Sequence, residues 1–313
     1  MRQPRFWFKQ NSFWQKRLAP LGWFYGWSVR RRLAKSHPYK SQKKVICVGN
    51  ICVGGTGKTP LSLFIAQQLI KRGYKVAFLN HGYKSQKQNI WVDVAHPEGV
   101  SDEALLLANI APTVVNKNRA EGMALLDKSD AQVIIMDDGF QNPSVAKDFS
   151  VLVFNGQKGI GNGLCLPVGP LREPLEQGLP RAQSVVIIGK DQTGLKKKIH
   201  RLAPKMPVFE AQLVPTISLN KQTGIAFAGI GYPEKFFEQL RAMGVTLTRT
   251  VRFPDHYQYK DSDIERLLAY GCPLFTTQKD LVKIAPKYHN KITAVPVQIQ
   301  ISSDFIQLVE KQL

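Results

Sequence analysis

Two short stretches of this 313-residue chain carry residue types at spacings that can do chemistry on phosphate. The first is Gly49-Asn50-Ile51-Cys52-Val53-Gly54-Gly55-Thr56-Gly57-Lys58-Thr59-Pro60. Backbone N–H groups of such a glycine-rich loop close around phosphate oxygens, and a following helix N-terminus adds a favourable partial charge. Lys58 reaches the terminal phosphates of a nucleotide, and the Thr59 hydroxyl ligates Mg²⁺. Gly54, Gly55, Thr56, Gly57, Lys58 and Thr59 are therefore candidate nucleotide-binding residues. The usual pattern of Gly, four residues, then Gly-Lys-Ser/Thr puts Cys52 where the first glycine belongs, and Gly54 and Gly55 supply the flexibility instead. The plain alternative is a turn that merely precedes a helix.

The second stretch is Asp137-Asp138-Gly139-Phe140-Gln141, which follows an apolar run at 132–136. A carboxylate at the C-terminal end of a buried strand, beside a phosphate loop, holds Mg²⁺ directly or through water. Solvated turn residues are the competing reading. Other motifs are weaker alone. Pro170-Leu171-Arg172-Glu173-Pro174 fixes an arginine and a carboxylate in a proline-bounded loop. His256 in Phe-Pro-Asp-His-Tyr reads by itself as a loop or half-buried histidine. Thr277-Gln278-Lys279-Asp280 reads as a helix N-terminus. Gly159-Ile160-Gly161-Asn162-Gly163 precedes Leu-Cys-Leu-Pro and not a helix, so it is no dinucleotide fingerprint.

The elements that must position these residues alternate. Strands are expected at 45–48, 75–79, 90–92, 113–115, 132–136, 149–154 and 184–188, and helices at 61–72, 104–110 (capped by Ser101), 118–127 and 195–202. The pattern restarts near 214, with strands at 223–228, 245–251 and 274–276, helices at 233–243 and 261–270, and a last helix at 303–313. This is an α/β chain: a P-loop core with a mostly parallel sheet over 41–213, to which 299–313 returns, and a smaller α/β lobe at 214–298.

The ends of the chain differ in charge. Net charge is +20, and residues 1–44 hold twelve Lys/Arg with no Asp or Glu. Four of the five tryptophans fall in the same segment, and Pro20 is expected to open a helix running to about Lys35. Basic residues interleaved with Trp, Tyr and Phe suit an anionic membrane surface. A nucleic-acid arm, or a helix packed on the protein's own core, has the same composition. No stretch reaches the ~18–20 apolar residues of a spanning helix. Segment 1–40 thus reads as an interfacial, uncleaved anchor. The four cysteines form no CxxC pair, which points to a reducing compartment without a zinc site.

Taken together and in order, Gly-Asn-Ile-Cys-Val-Gly-Gly-Thr-Gly-Lys-Thr-Pro, Asp-Asp-Gly-Phe-Gln, Gly-Pro-Leu-Arg-Glu-Pro, Phe-Pro-Asp-His-Tyr and Thr-Gln-Lys-Asp resemble the tetraacyldisaccharide 4′-kinases of Gram-negative lipid A synthesis, over residues 22–285. The resemblance implies transfer of the ATP γ-phosphate to the 4′-hydroxyl of a tetraacyl glucosamine disaccharide 1-phosphate. It implies Mg²⁺ and work at the cytoplasmic face of the inner membrane, with no nucleic-acid partner. It implies that Lys58 binds phosphates, that Thr59, Asp137, Glu103 and Glu173 serve the metal, and that Asp138 is catalytic. It also implies that Asp102 is the base, paired with His256 from the other lobe, and that Gln141, Arg119 and Arg172 serve the nucleotide or its positioning. The family's Ser-Arg-Gly-Tyr is Asn80-His81-Gly82-Tyr83 here, and Ser101 and Asn142 also depart from the pattern. A P-loop nucleotide switch or assembly ATPase acting on nucleic acid is the rival reading. It draws on the +20 charge, but the charge is gathered with tryptophan at one end, and no guanine-specificity motif is in place.

Overall fold

The structure, a computed structural model, describes residues 4–9, 13–83, 85–96, 98–231, 233–255 and 257–313, so His256 lies outside the described residues. By its internal contacts the chain divides into two compact units, one of Met1–Val100, Leu107–Leu213 and Ile299–Leu313, the other of Ser101–Leu106 and Val214–Gln298.

The larger unit begins with helix α1 (Phe13–Ala34), followed by β1 (Lys44–Gly49), α2 (Lys58–Lys71), β2 (Val76–Asn80) and the short β3 (Ile90–Trp91). Next come α3 (Asp102–Ala108), whose residues up to Leu106 belong to the smaller unit, β4 (Thr113–Val115), α4 (Arg119–Asp127), β5 (Val133–Asp137), β6 (Phe149–Asn155), α5 (Leu175–Gly178), β7 (Ser184–Ile188), α6 (Leu195–Leu202) and β8 (Val208–Pro215). The smaller unit holds β9 (Thr223–Ala228), α7 (Pro233–Ala242), β10 (Thr246–Arg252), α8 (Asp261–Leu268), β11 (Leu274–Thr277), α9 (Gln278–Leu281) and β12 (Ile292–Val295). Strand β13 (Val297–Ile301) and helix α10 (Ser303–Glu310) close the chain.

Nine strands form one sheet in the order β13-β8-β7-β6-β1-β5-β2-β4-β3. The pairs from β8 to β4 are parallel, and β3 is an antiparallel edge. Parallel strands covered on both faces read as continuous apolar runs, which is why β1, β5, β6 and β7 are mostly apolar along their length. Successive residues of β1 face opposite cores. Val45 and Cys47 join Ile134, Met136, Met123 and Leu126, while Ile46 and Val48 join Ile135, Leu61, Ile65 and Phe305. Helix α4 thus covers one face, and α2 and α10 cover the other. The smaller sheet, β10-β9-β11-β12, is also parallel, with Phe236, Phe237 and Leu240 of α7 in one core and Ile264 and Leu267 of α8 in the other.

Two expectations need correction. Pro20 does not open α1 but lies inside it, the helix starting at Phe13. A proline in a helix interior forfeits one i→i−4 hydrogen bond. A packed face further along holds the helix: Gly22 and Gly26 bring it against the 165–174 loop so closely that a Cβ on Gly22 would stand 2.9 Å from Val168 Cγ2. Strands β8, β12 and β13 are also present where none was expected. Their period-two alternation is short and sits between prolines 207, 215 and 296, which read as linker.

Candidate active site

The phosphate loop and the acidic pair meet because β1 and β5 are adjacent and in register, with Val48 opposite Asp137. Both strands end at one sheet edge, the place where parallel α/β sheets bind ligands. The Asp138 N–H donates to the Val48 carbonyl at 2.9 Å, which locks the acidic turn to the start of the loop. Gly49 is required here, since a Cβ would lie 2.4 Å from Phe140 Cβ. Gly57 takes φ +93° immediately before α2, a conformation other residues rarely adopt.

Cys52 fills the first-glycine position without strain. It is buried, and its Sγ lies 3.6 Å from the Gly159 carbonyl. Burial pushes its thiol up to about 12, so it is an inert packing residue. The loop's first half pairs with the Pro-Leu-Arg-Glu-Pro segment: Val53 N–H donates to Pro170 (2.8 Å) and Arg172 N–H to Ile51 (2.7 Å). That pairing explains how a motif more than a hundred residues away reaches the site.

The side chains form a connected array. Thr59 Oγ1 donates to Asp137 Oδ2 at 3.0 Å, and Ser62 Oγ donates to Asp137 Oδ1 at 2.9 Å. Lys58 Nζ lies 3.5 Å from Asp138 Oδ2, and Arg172 donates to Asp138 Oδ1 at 3.2 Å and to Gln141 Oε1 at 3.3 Å. Gln141 Nε2 donates to the Asn50 carbonyl (2.7 Å) and to Glu173 Oε1 (2.9 Å). Asp138 itself adopts φ +55°. Burial pushes its proton affinity up, but Lys58 and Arg172 together outweigh that, and its carboxyl is held below the usual range.

Two expected roles change on this geometry. Arg119 is only 2% exposed, and its guanidinium donates to the carbonyls of Leu79 (3.0 Å), Asp137 (3.2 Å) and Asp138 (3.4 Å). It braces the ends of β2 and β5 and has no exposed face for a nucleotide. Burial pushes its pKa down to about 10, so it remains a cation at neutral pH. Glu173, 1% exposed, pairs with Arg181 through one oxygen and accepts from Gln141 through the other. A metal role would require that ion pair to open. Sequence reasoning missed Ser62 and Arg181. Ser62, one helical turn after Lys58, was the legible one, as a hydroxyl on the face α2 turns to the core.

Asp102 and Glu103 open α3, with Ser101 Oγ accepting from Ala104 N–H at 3.4 Å. Asp102 belongs to the smaller unit, and the expected pairing with His256 lies outside the described residues. Within that unit Lys279 Nζ lies 3.1 Å from Glu103 Oε1 and 3.9 Å from Asp102 Oδ2. His81, in the family's arginine position, has its pKa lowered by burial and by Arg119. It is neutral at pH 7, so this departure removes a positive charge.

The donor set fits Mg²⁺. A hard cation takes oxygen ligands, and in phosphoryl-transfer sites one or two carboxylates and substrate phosphates complete its shell. Thr59 Oγ1 and the Asp137 carboxylate supply such oxygens at the end of the phosphate loop. Among the described residues no cluster of three or more His, Cys, Asp or Glu forms an all-protein cage.

On the N-terminal segment, Trp7 is buried and donates from Nε1 to Pro167 (3.0 Å), whereas Trp23, Phe24 and Trp27 of α1 are exposed, Trp23 by 76%. A groove of about 280 Å³ runs along α1, lined by Gly22, Trp23, Gly26, Leu164 and Val168 among others. Among the described residues no helix is long and apolar enough to cross a membrane.

Comparison with known proteins agrees with the geometry. Residues 14–313 match the family model described as tetraacyldisaccharide-1-P 4′-kinase, LpxK. The chain is 44% identical to the tetraacyldisaccharide 4′-kinase of Paramagnetospirillum magneticum, over 96% of this chain and 94% of that one. It is 42% identical to that of Rhodospirillum rubrum, over 96% and 93%. A crystal structure of LpxK from Aquifex aeolicus in complex with ATP superposes with a TM-score of 0.77 at 26% identity, covering 95% of this chain and 99% of that one.

Proposed function

The chain belongs to the tetraacyldisaccharide-1-P 4′-kinase family, and from that premise we propose how its own residues carry the reaction. The enzyme transfers the γ-phosphate of ATP to the 4′-hydroxyl of a tetraacyldisaccharide 1-phosphate, giving lipid IVA in lipid A biosynthesis. The O4′–Pγ bond forms, the bond from Pγ to the β,γ-bridging oxygen breaks, and the hydroxyl proton leaves to a base.

The observation that carries the assignment of residues is the paired array in which Thr59 holds Asp137 and Lys58 holds Asp138. Mg²⁺, when bound, neutralises charge on the phosphates, with Thr59 and Asp137 as its protein oxygens. Ser62 fixes the far oxygen of Asp137 and so sets the direction of the near one. Lys58 and Arg172 leave Asp138 for the phosphates, and Asp138 is then freed beside the transferring group. Gln141, held between Asn50, Glu173 and Arg172, orients the arginine. Arg119 is a positioning residue that holds both aspartates from behind. Asp102 takes the 4′-hydroxyl proton, with His256 as its partner. A sugar hydroxyl is a weak nucleophile, so a carboxylate base contributes in proportion to how well it is placed.

The acylated substrate stays in a bilayer, because each buried CH₂ contributes ~0.8 kcal/mol to its retention. Exposed Trp23, Phe24 and Trp27, backed by Arg30, Arg31 and Arg32, suit an anionic surface at the cytoplasmic face. The groove along α1 is the proposed seat of an acyl chain. The test is ADP release with the disaccharide 1-phosphate in anionic vesicles. Release that depends on the lipid supports the reading, and equal release without it, or stimulation by DNA or RNA instead, supports the nucleic-acid rival.

A further inference from the structure

Within the Thr277–Asp280 motif, Thr277 and Asp280 hold the turn itself, whereas Lys279 reaches away from it. Asp280 is fully buried and accepts from the Gly229 N–H (3.0 Å), the hydroxyls of Tyr259 (3.0 Å) and Thr277 (2.7 Å), and the Lys283 ammonium (2.8 Å). Thr277 Oγ1 in turn accepts from the Asp280 N–H at 3.1 Å and caps α9. The backbone on either side of Lys279 is therefore fixed. From this mount its ammonium reaches the first turn of α3, 3.1 Å from Glu103 and 3.9 Å from Asp102. Burial works against charge on Lys279, but Glu103, Asp102 and Asp255 outweigh it, and its proton is held more tightly than that of an ordinary lysine.

We propose that Lys279 is a positioning residue for the base: a side chain on a fixed mount that ties down the first turn of α3 through Glu103 and stands 3.9 Å from Asp102, so that Asp102 is presented in one geometry. The proposal rests on the reading of Asp102 as base. Asp102 is only 7% exposed, so its placement depends on what holds this turn. Lysine suits the position, because its ammonium donates to Glu103 while standing 3.9 Å from Asp102.

The test compares Lys279→Met, Lys279→Arg, Asp102→Ala and the Lys279→Met/Asp102→Ala double variant in the full-length enzyme, by lipid-dependent ADP release and by ATP binding. Lys279→Met should lower kcat about 10- to 100-fold, as expected for a misplaced catalytic group, while ATP affinity stays within about twofold. Lys279→Arg, which keeps the charge, should recover part of the loss. In the Asp102→Ala background Lys279→Met should change the rate by less than about twofold, because residues that act as one unit are not additive. Lys279→Gln replaces Lys279→Met should the latter fail to fold. Wild-type kcat in Lys279→Met, an equal loss in the Asp102→Ala background, or a loss of ATP affinity each overturns the proposal. Wild-type activity in Asp102→Ala overturns the base assignment itself, an outcome distinct from failure at Lys279 alone.

Discussion

Replacing Asp138 by Asn should make ATP bind more tightly while it slows the reaction. In the structure Asp138 occupies both cations that a γ-phosphate needs, Lys58 at 3.5 Å and Arg172 at 3.2 Å. Nucleotide binding must pull both away. In an effective dielectric of 20 the Lys58 pair alone has a Coulomb energy of about 5 kcal/mol. Asp138 is 34% exposed, however, and partly solvated pairs contribute ~0.2–1 kcal/mol once desolvation and side-chain entropy are counted. Two pairs released together then amount to ~0.4–2 kcal/mol, or about 2- to 30-fold in affinity. Asn is the right substitution because it tolerates the φ of +55° at this position better than most residues. Loss of the carboxylate that positions Lys58 and Arg172 should at the same time lower kcat about 100-fold, as a misplaced catalytic group does. The assay is calorimetric ATP binding without Mg²⁺, which isolates the cation competition from metal ligation. The sign of the pH dependence follows from Asp138 having its pKa lowered in the folded protein. The carboxylate stays ionised throughout the neutral range, so the affinity ratio of the two proteins should be constant from pH 5 to 8. It should fall toward one only as pH drops through the lowered pKa. Equal or weaker Mg²⁺-free binding by Asp138→Asn refutes the competition.

Ser62→Ala removes one of the two hydroxyls on a buried carboxylate, and hydrogen bonds to charged groups contribute ~1.5–3 kcal/mol. It should raise the Mg²⁺ concentration for half-maximal rate roughly tenfold, as loss of a ligand-orienting contact does, with Mg²⁺-free ATP affinity unchanged, measured by metal titration at saturating ATP. The Trp23→Ser/Phe24→Ser/Trp27→Ser variant should lose most binding to anionic vesicles in a flotation assay while retaining its thermal unfolding midpoint, since these side chains are exposed; unchanged flotation would count against a membrane role for α1.

Much of the site was legible because its parts are local. The Gly57-Lys58-Thr59 run between an apolar strand and a helix, and the Asp137-Asp138 pair after another, give their positions by chain geometry alone, since neighbouring parallel strands end together. The parallel α/β class follows from the same alternation. What was not legible is long-range. The sequence shows that Arg119 and Glu173 are charged, but not that one is enclosed by three carbonyls and the other by Arg181 and Gln141, because burial and partner choice depend on elements distant in the chain. The place of Asp102 within the smaller unit was hidden for the same reason: α3 lies among elements of the larger unit in sequence, and its first turn is tied to Lys279, 176 residues away from Glu103. The helical start at Phe13 was missed because a proline reads locally as the first residue of a helix, whereas Pro20 lies inside this one.

The most direct measurement is mass spectrometry of the product formed from ATP and Mg²⁺ with a tetraacyldisaccharide 1-phosphate, using the wild-type chain, Lys58→Ala, and a substrate whose 4′-hydroxyl is O-methylated. The wild-type chain should add one phosphate, at the 4′ position, to the free hydroxyl and none to the methylated substrate. Folded Lys58→Ala should add none, because Lys58 neutralises charge on the transferring group. Phosphate found on the methylated substrate, or wild-type turnover by Lys58→Ala, would contradict phosphoryl transfer to the 4′-hydroxyl from this loop.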